Sequence, residues 1–168
     1  QYVVLEGEAG HQDAIIRTEN AVNILKKRGI QLEKLSYGIA NWSRAQGQTR
    51  MMQIISENPN KVELVLANND DMALGAMDAY KKLNVTETAL PVFFGIDGTE
   101  VGLQAVVVSK LSGTVYNDKE GQSKAMAKLA AALVTDQGMD EIRFEKERYI
   151  YLPYEIVTSE NVSEFQKK

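Results

Sequence analysis

Short apolar runs and longer amphipathic segments alternate along the whole chain. The runs Tyr2 to Glu6, Leu32 to Tyr37, Val62 to Ala67, Pro91 to Ile96 and Gly113 to Tyr116 read as strands. Only Glu63 interrupts the third, as expected of a strand buried on both faces. Helices fill the intervals. Asp13 as N-cap opens one running to about Lys27, ended by Arg28-Gly29, with basic residues at the negative end of its dipole. Ser43 caps a helix to about Ser56, with Met51, Met52, Ile54 and Ile55 facing inward. Asp70 or Asp71 starts Met72 to Leu83, Thr99 opens a helix to about Lys110, and Asp118 opens another to about Thr135. A further strand is expected over Arg148 to Leu152, then a short helix, Glu160 to Gln166, capped by Ser159. This order predicts an α/β fold, a doubly wound parallel sheet with helices on both faces.

Ligands of open parallel sheets sit outside the carboxyl ends of the strands. The residues expected there form a coherent set. His11 and Asp13 follow the first strand, with Arg17 one turn along; Trp42 follows the second, Asn69 the third, Asp97 the fourth and Asn117 the fifth. Each has an ordinary explanation as a cap, a turn or a surface ion pair. Together they supply what a sugar ring needs: planar donors and acceptors for hydroxyls, and one flat aromatic face for the C–H groups. No nucleophile accompanies them, so the set reads as recognition and no enzyme is expected.

Composition narrows this by exclusion. The 168 residues, 44% hydrophobic and 25% charged, suffice for one good core. A net charge of −4 argues against a nucleic-acid partner. The absence of cysteine removes disulfides, thiolate metal sites and cysteine nucleophiles, and a single histidine leaves little for a transition metal. Gly7-Glu8-Ala9-Gly10 lacks the third glycine of a dinucleotide loop, and no Lys-Ser/Thr follows for a phosphate loop. Nothing places Glu6/Glu8 or Asp70/Asp71 across a cleft as glycoside hydrolysis requires. No apolar run approaches the roughly 20 residues of a membrane span.

Gly10-His11-x-Asp13-x-x-x-Arg17, Trp42, Ala67-Asn68-Asn69-Asp70, Phe94-Gly95-Ile96-Asp97 and Gly113-Thr114-Val115-Tyr116-Asn117-Asp118 resemble the galactose/glucose-binding family of periplasmic receptors. The motifs occur in the family's order, and the match runs from Gln1 to Lys168. The resemblance implies one lobe of a type I periplasmic-binding-protein fold. Residues 1–117 would be the C-terminal sugar-binding lobe, 118–152 a crossover segment belonging to an N-terminal lobe, and 153–168 the return. It implies that His11, Asp13, Arg17, Asn69, Asp97 and Asn117 hydrogen-bond a hexose, D-galactose or D-glucose, while Trp42 stacks on one face. The second lobe would supply the opposite aromatic. The implied partners are the membrane subunits of an ATP-driven importer and a chemoreceptor. The implied location is periplasmic, or extracellular with a lipid anchor, with the export signal upstream of Gln1.

The family also carries a calcium loop before the first strand here. By the resemblance, Gln1 matches its last residue and Glu63 the bidentate ligand from a neighbouring strand. Calcium takes 6–8 oxygen ligands, so the ion is expected in a full-length parent and no cofactor is expected in this chain. Beginning in mid-strand, the chain reads as the C-terminal part of a longer protein. The helix after Asp118 carries Met126, Leu129, Ala130 and Leu133 as an apolar stripe without an evident cover, so either self-association through 119–152 or disorder of that segment is expected. The alternative function is the effector-binding domain of a sugar-responsive transcription repressor, against which stand the acidic charge and the pair Gln1 and Glu63. An α/β enzyme acting on sugar phosphates would bring more basic residues to the rim than Arg17 and His11.

Overall fold

In the computed structural model, which describes residues 1–86 and 90–166, the strands are β1 (Tyr2–Glu6), β2 (Lys34–Ile39), β3 (Leu64–Ala67), β4 (Val92–Phe94), β5 (Thr114–Asn117) and β6 (Tyr154–Val157). The helices are α1 (Gln12–Lys27), α2 (Arg44–Glu57), α3 (Asp70–Lys82), α4 (Glu100–Val107), α5 (Lys119–Thr135) and α6 (Val162–Phe165). The chain forms two compact units, residues 1–115 with 156–168, and residues 116–155. Lys167 and Lys168, at the end of the matching stretch, lie outside the described residues.

In the first unit β1 pairs in parallel with β2 and β3, and β3 with β4, in the order β2-β1-β3-β4. Beyond β4, Ser112 N donates to Phe93 O, Gly95 N to Gly113 O and Asp97 N to Val115 O, which brings the start of β5 alongside. The expected parallel α/β sheet is therefore present. Its order reverses between β1 and β3, where the loops at their carboxyl ends diverge and leave a crevice.

Period-two alternation sorts the sheet faces. Val3, Leu5, Val65, Ala67 and Phe93 are buried on one face. The buried residues Met51, Ile54, Met72, Ala76 and Tyr80 belong to α2 and α3, and Tyr80 meets Phe93 edge-on at 5.8 Å. The helices α2 and α3 cross closely because Gly47 lies against Met72 and Gly75 against Arg44 O, where a Cβ has no room. On the other face α1 lines a groove of about 430 Å³ with Val4, Leu64, Leu66, Phe94 and Ile156. Phe94 keeps 39% exposure and Val92 46%, so this face is only partly covered.

Several local expectations are corrected. The cap of α1 is His11, whose Nδ1 accepts from Asp13 N (3.2 Å), not Asp13. Asn69 caps α3, accepting from Met72 N (2.9 Å), and Asp70 is already helical. Ser43, Thr99 and Asp118 cap as expected. Arg148 to Leu152 is not a strand. Glu145 and Tyr149 form one antiparallel bridge across a turn with Lys146 and Glu147 at positive φ, and the strand lies at Tyr154–Val157 instead. A strand needs a ladder partner, and an alternating pattern without one does not form it. The last helix begins at Val162 after Asn161, not after Ser159.

Candidate functional site

Four parallel strands deliver their following residues to one edge of the first unit. The β2–α2 turn fixes Trp42 there. Asn41 and Trp42 are consecutively left-handed (φ 47° and 61°), a conformation Asn tolerates and Trp does not favour. Ala40 N donates to Glu6 O (2.8 Å) and Ser43 N to Ala40 O (2.9 Å), bracketing the turn. Asn69 Nδ2 donates to Trp42 O (3.2 Å). The indole lies against Gly7, where a Cβ would fall within the ring.

Around this ring the first-unit residues converge. His11 meets Trp42 edge-on with centroids 5.2 Å apart. The guanidinium of Arg17 stands 5.7 Å from the ring centroid, a cation–π distance. Arg17 Nη1 donates to Asn68 O (2.9 Å) and Asp97 Oδ1 (3.3 Å), while Nη2 stands 3.8 Å from Asp13 Oδ2. Arg17 thus links the ends of β3 and β4 to the first turn of α1. Its side chain is 14% exposed, Asp97 is 30% and Asp13 is 55%, so free carboxylate edges remain around a sunken cation. Burial raises the Asp97 carboxyl above the ordinary carboxylate range, opposed by Arg17 and reinforced by Asp71 and Asp13.

The predicted residues do not all share one role. His11, Asp13, Arg17, Trp42 and Asp97 come together. Asn69 touches the group through Trp42 O, with its Oδ1 taken by the α3 cap. Asn117 ends β5 and belongs to the second unit, where its Oδ1 accepts from Gln122 Nε2. Gln1 and Glu63 are neighbours: Glu63 N donates to Gln1 O (3.0 Å), and the α-amino group pairs with the Glu63 carboxylate. The Gln1 side chain turns instead to Glu33, donating from Nε2 (3.0 Å). Two side chains fall short of the 6–8 oxygen ligands that calcium takes, and among the described residues no group of three or more His, Cys, Asp or Glu is placed to hold a metal.

Sequence reasoning missed the supports beneath the rim. Asn68 Oδ1 accepts from Gly7 N (3.1 Å) and its Nδ2 donates to Thr18 Oγ1 (3.0 Å), bridging the switch point. Buried Glu6 accepts from Thr18 Oγ1 (2.8 Å) and Tyr37 OH (2.9 Å); burial, then this bond, raises the Tyr37 pKa. Asp70 is wholly buried. The available signal was position, since each polar side chain directly ends a strand or lies one turn into the following helix.

A parallel sheet whose switch point gathers planar polar groups around an aromatic face defines a solute-binding domain. The chain belongs to the periplasmic binding protein domain family, whose model matches residues 1–138. It is 35% identical over 170 residues to the D-galactose/methyl-galactoside binding periplasmic protein of Haemophilus influenzae, covering 99% of this chain and 50% of that protein. It is 34% identical over 169 residues to a putative rhizopine-binding protein of Rhizobium meliloti, covering 99% and 51%. An ABC transporter solute binding protein from Bacillus halodurans with bound myo-inositol superimposes with a TM-score of 0.84 at 31% identity, over 99% of this chain and 54% of that one. The chain spans about half the length of the curated relatives it matches. These relatives are named as binding proteins, not as enzymes.

Proposed function

We propose that this chain forms one wall of a monosaccharide site in the solute receptor of an ATP-driven importer, taking D-galactose or D-glucose. The observation that carries this reading is the junction of Arg17 with Asp97 and Asp13 beside the Trp42 ring. Carboxylates accept from sugar hydroxyls, Arg17 donates to them, and the indole packs on a C–H face. A second lobe would close over the opposite face by a hinge and expel water, and the closed form is what importer subunits or a chemoreceptor would read. The proposed location is periplasmic, or extracellular with a lipid anchor. Calcium, if bound in a longer polypeptide, needs ligands beyond Gln1 and Glu63. A cyclic polyol is the second reading, favoured by the relative that holds myo-inositol. A repressor effector domain finds no support in the relatives described above, which are named as binding proteins.

Trp42 is the only tryptophan, so its emission reports on one site. Titration with galactose, glucose, myo-inositol and ribose should give a saturable change for hexose or cyclitol and none for ribose. A micromolar complex corresponds to about −8 kcal/mol, and one wall contributing half would give about −4, a millimolar Kd. The same titration on the longest natural polypeptide carrying this sequence should be micromolar. No response in either sample refutes the sugar reading.

A further inference from the structure

We propose that Asp70 is a positioning residue for the ligand rim, its ionised carboxylate holding the Asp97 loop against the start of α3, so that ligand affinity follows its charge. This rests on the sugar reading above.

Asp70 grips that loop from both sides. Its backbone N donates to Ile96 O (2.8 Å), just before Asp97. Its Oδ2 accepts from Thr99 N (2.8 Å) and Thr99 Oγ1 (3.1 Å), just after the loop. Its Oδ1 accepts from Thr114 Oγ1 (2.6 Å), and that oxygen in turn accepts from Gly98 N (3.3 Å). Asp97, at φ 116°, is held between these anchors. One residue earlier, Asn69 caps α3 and holds Trp42 O, so a single dipeptide links both ligand-facing turns. Gly95 and Gly102 press on the carboxylate so closely that a Cβ on either would strike it.

The surrounding charges do not neutralise it. Asp97 is the charge it feels, with Asp71 next to it on α3 and Glu100 opening α4. The adjoining part of β5 within this unit, Thr114 and Val115, has no charge. On α2, Arg44 is paired with Asp78, and on α1, Arg17 faces Asp97. Desolvation therefore pushes the Asp70 carboxyl up to about 6, against the pull of the three donors. Only the ionised carboxylate accepts from all three donors at once. A protonated one must place its own proton among them, and one bond reverses or breaks.

The test uses the longest natural polypeptide carrying this sequence, titrated calorimetrically with D-galactose, D-glucose and myo-inositol between pH 7.5 and 5.0. The Asp70 carboxyl carbon is followed by NMR with and without the tightest of these. Reciprocity requires bound sugar to lower the Asp70 midpoint by the factor through which acid weakens binding. The expected Kd rise is about fivefold, a midpoint shift of about 0.7 pH unit. Asp70→Asn should bind less tightly at pH 7.5 and lack this component. Thr114→Val, which keeps the carboxylate but removes one donor, should move the affinity midpoint to higher pH. It serves as the independent variant if Asp70→Asn fails to fold. An Asp70 midpoint unmoved by sugar, or parallel wild-type and Asp70→Asn profiles, overturns the inference while leaving the sugar reading intact. No binding by wild type at pH 7.5 overturns the sugar reading and this inference with it.

Discussion

At Trp42 and Asp97 the backbone holds left-handed torsions that these side chains disfavour, at a cost of about 1–3 kcal/mol each. Both lie at the proposed ligand rim; Asp97 N donates to Val115 O of β5, and Trp42 O accepts from Asn69 Nδ2. Gly7 is the floor under the indole. Gly7→Ala should displace the ring, shift Trp42 emission in the unliganded protein and weaken sugar binding by at least about tenfold, or 1.4 kcal/mol. Unchanged emission would show that the ring does not rest there in solution. Asp97→Ala removes a charged acceptor and leaves Arg17 without its nearest carboxylate. A bond to a charged group is worth about 1.5–3 kcal/mol, so the Kd should rise roughly 10- to 100-fold by calorimetry, with emission of the free protein preserved.

Between elements, Asp70 ties α3 to the loop and cap that open α4. Its folded-state pKa of about 6 lies above the ordinary 3.8, so the buried charge opposes folding above pH 6 and this penalty disappears as pH falls toward 4. The difference of about two units corresponds to about 3 kcal/mol. The stability of Asp70→Asn relative to wild type should therefore decline by up to about 3 kcal/mol between pH 7 and pH 4, measured by urea unfolding. A constant difference across that range would contradict the assignment. In the second unit, α5 buries only Ala132, while Met126 and Leu133 are 71% and 66% exposed. Concentration-dependent association of this chain is expected in sedimentation equilibrium, weakened by Met126→Lys with Leu133→Lys. An association constant unaffected by that double substitution would place the contact elsewhere.

Over the whole molecule, the first unit has α2 and α3 on one sheet face and an open groove beside α1 on the other. On the sugar reading proposed above, the Trp42 ring would cover one of a sugar's two faces, so this unit would form one wall of the site. The relatives' twofold greater length fits that arithmetic. If the sugar reading proposed above holds, a drop from millimolar to micromolar Kd in a longer polypeptide would measure what a second lobe adds.

The alternating apolar pattern was enough to determine the α/β class, the parallel strands and nearly every helix, because each segment's period specifies how it buries its face. Strand-end position was enough to nominate His11, Asp13, Arg17, Trp42 and Asp97, since parallel topology sends all such ends to one edge. The caps were misread at His11 and Asn69 because nearby polar residues can each open the helix, and only the local geometry chooses. The strand expected at Arg148 to Leu152 failed because pairing depends on a neighbour that no local pattern contains. Which polar residues would meet a ligand and which hold others in place was decided only in three dimensions. The sequence does not single out Asn68, Glu6 or Asp70 as supports, and only packing turns them inward, where they hold the loops of the candidate rim.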